Sequence, residues 1–133
     1  MKKHNIAIIG LGYWGTIVTN TIISMGLFKK IFIYDNDVSK VKIIKKKFGN
    51  KVISIKFDQI KNNKKIKNIF LATPPKMNFK ILKTLIKHKK NILIEKPGMI
   101  NLKYFDLIEK ELNKNKIKLS FGYIYIYNNY IRY

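Results

Sequence analysis

Ile6-Ala7-Ile8-Ile9-Gly10-Leu11-Gly12-Tyr13-Trp14-Gly15 is followed twenty positions later by Asp35, at the end of a second apolar run, Ile31-Phe32-Ile33-Tyr34. The first stretch reads as a buried strand turning sharply on glycine into a helix. That helix carries Ile17, Val18, Thr21, Ile22 and Met25 at helical spacing. The three glycines then differ in what they do. Gly10 permits the tight turn, Gly12 lets the main chain approach a pyrophosphate, and Gly15 lets helix and strand pack closely. The helix beginning near Trp14 aims unpaired N–H groups, and the positive end of its dipole, at the same point. Asp35 is placed to accept hydrogen bonds from an adenosine ribose, and its charge repels a 2′-phosphate. The pattern implies a dinucleotide, with NAD favoured over NADP. Asp35 or Asp37 also reads as the N-cap of the next helix, and the roles are compatible with Asp35 on the ribose and Asp37 as the cap.

Outward from this unit, strands and helices alternate. Strands are expected over residues 5–9, 30–34, 52–55, 68–71, 91–94 and 117–122. Helices are expected over 14–25, 38–48, 77–88 and 102–113, with a single helical turn at 58–60. Short apolar runs bounded by polar residues suit strands buried on both faces. The class is therefore α/β, a doubly wound and mostly parallel sheet. The last helix keeps Phe105, Ile108 and Leu112 on one stripe behind Asn101 as its N-cap. Residues 61–67, rich in lysine and asparagine, read as a loop. The 133 residues suffice for one domain with a real core. Residues 1–122 form the nucleotide-binding unit in this reading, and 123–133 begin a connection out of it.

The formal charge of +21 raises the question of nucleic acid, and residue choice answers it. Of the 28 basic residues all but Arg132 are lysine, whereas base readout relies on the planar, bidentate guanidinium. The lysines cluster at 45–47, 61–65 and 87–90, on expected helix faces and in loops, which reads as solvated surface. Such a surface attracts anions without specific nucleic-acid recognition. Absence of cysteine excludes disulfides and thiolate metal sites, and no metal is expected. The opening apolar stretch is broken by Gly10 and Gly12 and lacks a cleavage pattern, so it is no signal peptide. No apolar run approaches a membrane span, so a cytoplasmic location is expected.

Two further segments complete the pattern: Ala72-Thr73-Pro74-Pro75 after the fourth strand and Glu95-Lys96-Pro97 after the fifth. Together with the glycine turn and Asp35, in this order and at this spacing, they resemble the Gfo/Idh/MocA (glucose–fructose oxidoreductase/inositol dehydrogenase) family of NAD(P)-dependent oxidoreductases. The resemblance spans essentially the whole chain. It implies a Rossmann fold that holds NAD through Gly10, Leu11, Gly12, Tyr13, Trp14, Gly15 and Asp35. Thr73, Pro74 and Pro75 would form a loop beside the nicotinamide ribose, where Glu95 would hydrogen-bond. Lys96 would be the catalytic residue, holding the substrate oxygen and helping move its proton, with Pro97 orienting it through a cis Lys-Pro bond. The implied substrate is a sugar, cyclitol or sugar nucleotide whose hydroxyl carbon exchanges hydride with the nicotinamide. Position supports Lys96 independently, since ligands of open α/β sheets bind at the carboxyl ends of the strands. An ammonium there would also polarise a carbonyl. The prolines have a plainer reading, as a stop to the strand and an extended turn.

The chain departs from the family pattern in three places. Asn78 stands where a histidine is common, which alters local hydrogen bonding. Ile126 and Asn129 replace a common arginine and proline, which points toward members acting on sugar nucleotides. Finally, this chain is expected to lack the family's second, antiparallel-sheet domain, which supplies the substrate pocket and further acid/base residues. His4 and His88 offer no substitute. Residues 123–133 hold five tyrosines, the first three alternating with isoleucine, a pattern that buries one face and pairs its edge. The expectation is a cofactor-binding domain whose substrate half comes from elsewhere, by a homo-oligomer or a partner polypeptide. The alternative is a truncated, non-catalytic dinucleotide-binding module.

Overall fold

The structure, a computed structural model, describes residues 3–123. In chain order it comprises β1 (His4–Ile9), α1 (Tyr13–Met25), β2 (Phe28–Tyr34), α2 (Val38–Phe48), β3 (Ile53–Ser54), α3 (Phe57–Asn62), β4 (Ile66–Leu71), α4 (Pro75–Lys87), β5 (Asn91–Ile94), α5 (Leu102–Asn115) and β6 (Leu119–Phe121). One turn of 3-10 helix, Gly49–Lys51, follows α2. The strands form one sheet in the order β3-β2-β1-β4-β5-β6, and every neighbouring pair is parallel. The winding direction reverses between β1 and β4, which opens a crevice at their carboxyl ends.

Strand alternation explains the two cores. Ala7 and Ile9 point to one face, with Leu82, Leu85 and Ile86 of α4 and Ile108 of α5. Ile6 and Ile8 point to the other, with Ile22 of α1 and Ile44 of α2. Ile8, Ile33, Leu71 and Ile94 are essentially inaccessible to solvent. Each such side chain contributes about 1.5–3 kcal/mol on burial, which is why the strands read as continuous apolar runs.

Several boundaries differ from the sequence reading, each for a physical reason. Helix α4 begins at Pro75, two residues early, because a proline at the first helical position gives up an N–H that would be unpaired anyway. Helix α5 runs on to Asn115 and stops where Lys116 adopts a left-handed conformation. The turn expected at 58–60 is a six-residue helix anchored by fully buried Ile60. Residues 61–67 are accordingly no simple loop: α3 takes the first two and β4 begins at Ile66. Strands β3 and β6, at the sheet edges, are shorter than expected. The caps agree with expectation, the Asp37 side chain accepting from Ser39 N and that of Asn101 from Lys103 N.

The buried stripe of α1 is Gly15, Thr19 and Ile22, with Val18 and Ile23 packed beside it. Ile17 and Met25 face outward, at 38% and 53% exposure. Close contact of Gly15 with the turn after β1 fixes the rotation of the helix, and apolarity alone could not reveal that. Lys90 is the other reversal. It is 2% exposed, and its Nζ donates to the carbonyls of Asn63 and Ile66, both at 2.7 Å. Burial lowers its pKa. The alternating segment after Tyr123 lies outside the described residues.

Candidate functional site

Strand register assembles the site. Ile9 pairs with both Tyr34 and Leu71, Leu71 with Ile94, and Ile94 with Phe121, so the strand ends form one row across the sheet. The next residues extend that row: Gly10 N donates to Tyr34 O (2.9 Å), Ala72 N to Ile9 O (2.8 Å), and Glu95 N to Leu71 O (2.9 Å). The glycine turn, Asp35, the Ala72-Thr73 segment and Glu95-Lys96 therefore leave the sheet along a single edge. They line one open cavity of about 680 Å³.

The glycine turn is held by packing on two sides. Gly10 has φ +92°, and a Cβ on it would lie 2.6 Å from Ala72 O. A Cβ on Gly15 would overlap the carbonyl oxygen of Gly10. Gly12 differs: its φ is −69°, and a Cβ would meet no protein atom within 4 Å. Neither conformation nor protein packing calls for glycine there, and the residue lines the cavity. Gly12 is also the N-cap of α1, which has no side-chain cap and no acidic residue in its first turn. The helix thus presents unpaired N–H groups and a positive dipole end with no acidic side chain in its own first turn. These features fit a pyrophosphate.

Asp35 does more than its sequence position suggests. Its Oδ2 accepts from Leu11 N (2.7 Å) and its Oδ1 from Asp37 N (2.8 Å), tying the glycine turn to the end of β2. A carboxylate has about four lone-pair sites, so each oxygen keeps one for a ligand hydroxyl. Asp37 caps α2, and hydrogen bonds from the Ser39 hydroxyl and N–H hold its pKa below the usual value. Lys40 borders the same end of the cavity.

At the opposite end, Thr73, Pro74, half-buried Glu95 and exposed Lys96 form the wall. The Lys96-Pro97 peptide is cis. Of the other expected residues, Tyr13 and Trp14 flank the helix start with their rings edge to face, and both border the cavity. Leu11, Gly15, Pro75 and Pro97 lie off its wall. Leu11 is 3% exposed in the second core, so only its main chain faces the site's chemistry, through Asp35. Residues that the sequence reading missed also line the cavity: Tyr34, Phe57, Met77, Lys80 and Ile81. The Tyr34 and Phe57 rings are 5.7 Å apart, and burial, with Asp35 and Asp58 nearby, raises the Tyr34 phenol pKa. Phe57 precedes the single turn expected at 58–60, and only the longer α3 brings it to the wall. Among the described residues no cluster of three His, Cys, Asp or Glu side chains could hold a metal, and no helix is long and apolar enough to cross a membrane.

Residues 4–123 match the GFO_IDH_MocA family, described as an oxidoreductase family with an NAD-binding Rossmann fold. No curated protein matches the chain. Among solved structures, GenD2 from gentamicin A biosynthesis, in complex with NAD, superposes with a TM-score of 0.87 at 18% identity. That match covers 99% of this chain and 38% of GenD2. Scyllo-inositol dehydrogenase from Lactobacillus casei, with bound NAD(H) and scyllo-inositol, gives 0.85 at 19% identity, covering 99% of this chain and 39% of that one. UDP-N-acetylglucosamine 3-dehydrogenase GnnA from Acidithiobacillus ferrooxidans gives 0.84 at 16% identity, covering 100% and 42%. At these identities the likeness establishes the Rossmann fold, and the chain spans roughly two fifths of each of those proteins.

Proposed function

The chain belongs to the Gfo/Idh/MocA oxidoreductase family as its NAD-binding Rossmann domain, and from that premise we propose that it serves hydride transfer between NAD and a hydroxyl carbon of a sugar, cyclitol or sugar nucleotide. One observation carries the reading. A single cavity joins Gly12 and the uncapped start of α1 to Asp35 at one end and to Glu95 and Lys96 at the other. The amides around Gly12 bind the pyrophosphate, and Asp35 takes the adenosine ribose hydroxyls with its remaining lone pairs. Its charge selects NAD over NADP. Leu11 and Gly15 shape that cradle from behind, while Tyr13 and Trp14 flank it.

At the far end Thr73 and Pro74 border the nicotinamide ribose, and Glu95 supplies an acceptor to it. Pro75 starts the supporting helix, and Pro97 turns Lys96 toward the crevice. A bound nicotinamide would supply the hydride acceptor or donor. Lys96 is the catalytic residue: its Nζ holds the substrate oxygen, moves the proton, and polarises the carbonyl in the reverse direction. The sugar-type substrate is suggested by the scyllo-inositol and UDP-N-acetylglucosamine dehydrogenases named above.

The experiment is an NADH fluorescence titration followed by a turnover assay on cyclitol, sugar and sugar-nucleotide substrates, with Lys96→Ala alongside. Saturable NADH binding, with turnover abolished in Lys96→Ala, is the expected outcome. No binding would refute the reading. A second reading is a dinucleotide-binding module without catalysis of its own. In that case NADH binds with unchanged affinity in Lys96→Ala and no substrate is turned over.

A further inference from the structure

Asn78 lies in the first turn of α4 and is 1% exposed. It is not on the cavity wall, yet it joins the two loops that form the wall's Lys96 end. Its Oδ1 accepts from Thr73 Oγ1 (2.6 Å), in the loop after β4. Its Nδ2 donates to the carbonyl oxygen of Gly98, in the turn that carries Lys96 and Pro97 after β5. The partners lie five residues before it and twenty after it in sequence. Without Asn78, strand pairing would align the roots of these loops, at Ala72 N to Ile9 O and Glu95 N to Leu71 O, but not their tips.

The chemistry favours an amide. The junction needs one acceptor for a hydroxyl and one donor for a carbonyl on the same short side chain. A carboxylate supplies only acceptors. A leucine of similar size supplies neither, leaving a buried carbonyl and hydroxyl to find other partners.

We propose that Asn78 is a positioning residue that sets the spacing of Thr73 and Lys96 across the nicotinamide end of the cavity. The proposal rests on the NAD reading above. It distinguishes Asn78 from a residue that merely supports α4, because its influence is confined to one end of the site. The glycine turn, the start of α1 and Asp35 make no hydrogen bond with it.

The test compares two probes on the same chain: NADH, which occupies both ends, and ADP, which lacks the nicotinamide and its ribose. Asn78→Leu removes both hydrogen bonds at nearly constant volume. Asn78→Asp retains the acceptor for Thr73 and loses the donor to Gly98, and it carries the test should Asn78→Leu fail to fold. The expected result is NADH affinity about tenfold weaker in Asn78→Leu, from two lost hydrogen bonds. Asn78→Asp should show the same direction, with ADP affinity unchanged in both. Equal loss of the two ligands, or failure of both variants to fold, would overturn the proposal in favour of a purely structural role. Unchanged NADH affinity would overturn it as well. Wild-type chain that binds neither probe would instead refute the cofactor reading, and this proposal with it.

Discussion

Replacing Gly12 and Gly15 separately by alanine adds the same methyl group three residues apart, and the structure assigns the two changes opposite consequences. At Gly15 the new Cβ would overlap the Gly10 carbonyl oxygen, whose peptide plane is held by the Leu11 N to Asp35 Oδ2 hydrogen bond. Relief requires α1 to move away from β1, opening the contact around Ile22, Ile8 and Leu11. Overpacking of this kind costs roughly 1–3 kcal/mol, and the upper end applies where the obstacle is backbone. A loss of about 3 kcal/mol lowers the melting temperature by about 10 °C in a chain of this size. At Gly12 the Cβ enters open space at a φ that any residue adopts. The fold loses only the small advantage of glycine over alanine as an N-cap, about 0.5–1 kcal/mol, or a few degrees. On the NAD reading proposed above, its cost falls on the ligand, because the methyl group would project from the cavity wall that takes the phosphates. Weakened charge-assisted hydrogen bonds, at about 1.5–3 kcal/mol each, put the loss of NADH affinity at roughly 10- to 100-fold. Thermal melts by circular dichroism and NADH fluorescence titration read the two effects separately. Should Gly12→Ala melt as low as Gly15→Ala, or bind NADH like the wild type, the assignment of Gly12 to the ligand is wrong.

Asp35→Ala strips acceptors from the N–H groups of Leu11 and Asp37, and urea unfolding should show a loss of about 1–3 kcal/mol even without ligand. A purely ligand-facing carboxylate would leave that curve unmoved. Asp37, whose folded pKa lies below its unfolded value, contributes stability above the unfolded pKa that is lost as pH falls through the folded one. Asp37→Ala should therefore be less stable than wild type at neutral pH, with the difference vanishing in acid, as measured by melts across pH 2–7 (roughly the carboxylate range). Lys90 shifts stability in the same direction, but in the alkaline range. Its folded pKa is depressed by burial, so the unfolded chain binds the extra proton and stability rises with pH between the two values. Lys90→Met should flatten that alkaline rise relative to wild type, and a parallel pH profile would contradict it.

The glycine turn, the alternation of strands and helices, and the apolar runs were legible because each is a local constraint. A tight turn needs glycine wherever it occurs, a parallel strand is apolar on both faces, and Asn101 and Asp37 cap helices through bonds two residues long. From these the α/β class and the place of Asp35 and Lys96 at strand ends followed without coordinates.

Contacts between distant segments were beyond that reading. Order and spacing place Asp35, Gly10, Thr73 and Glu95 at strand ends, but only register across four strands fixes how they align along one edge. Close approach at Gly15 rotates α1 so that Thr19 is buried and Ile17 is not, against their hydropathy. Lys90 looks like one more surface lysine until the carbonyls of Asn63 and Ile66 enclose its ammonium. Asp35 bonds to a main-chain group twenty-four residues away, and Asn78 joins loops twenty-five residues apart, from Thr73 to Gly98. Local chemistry thus chose the elements and named the residues at their ends. Hydrogen bonding and packing between segments remote in the chain decided which of those residues meet, because such contacts depend on the shared geometry of the sheet and leave no periodic trace in the sequence.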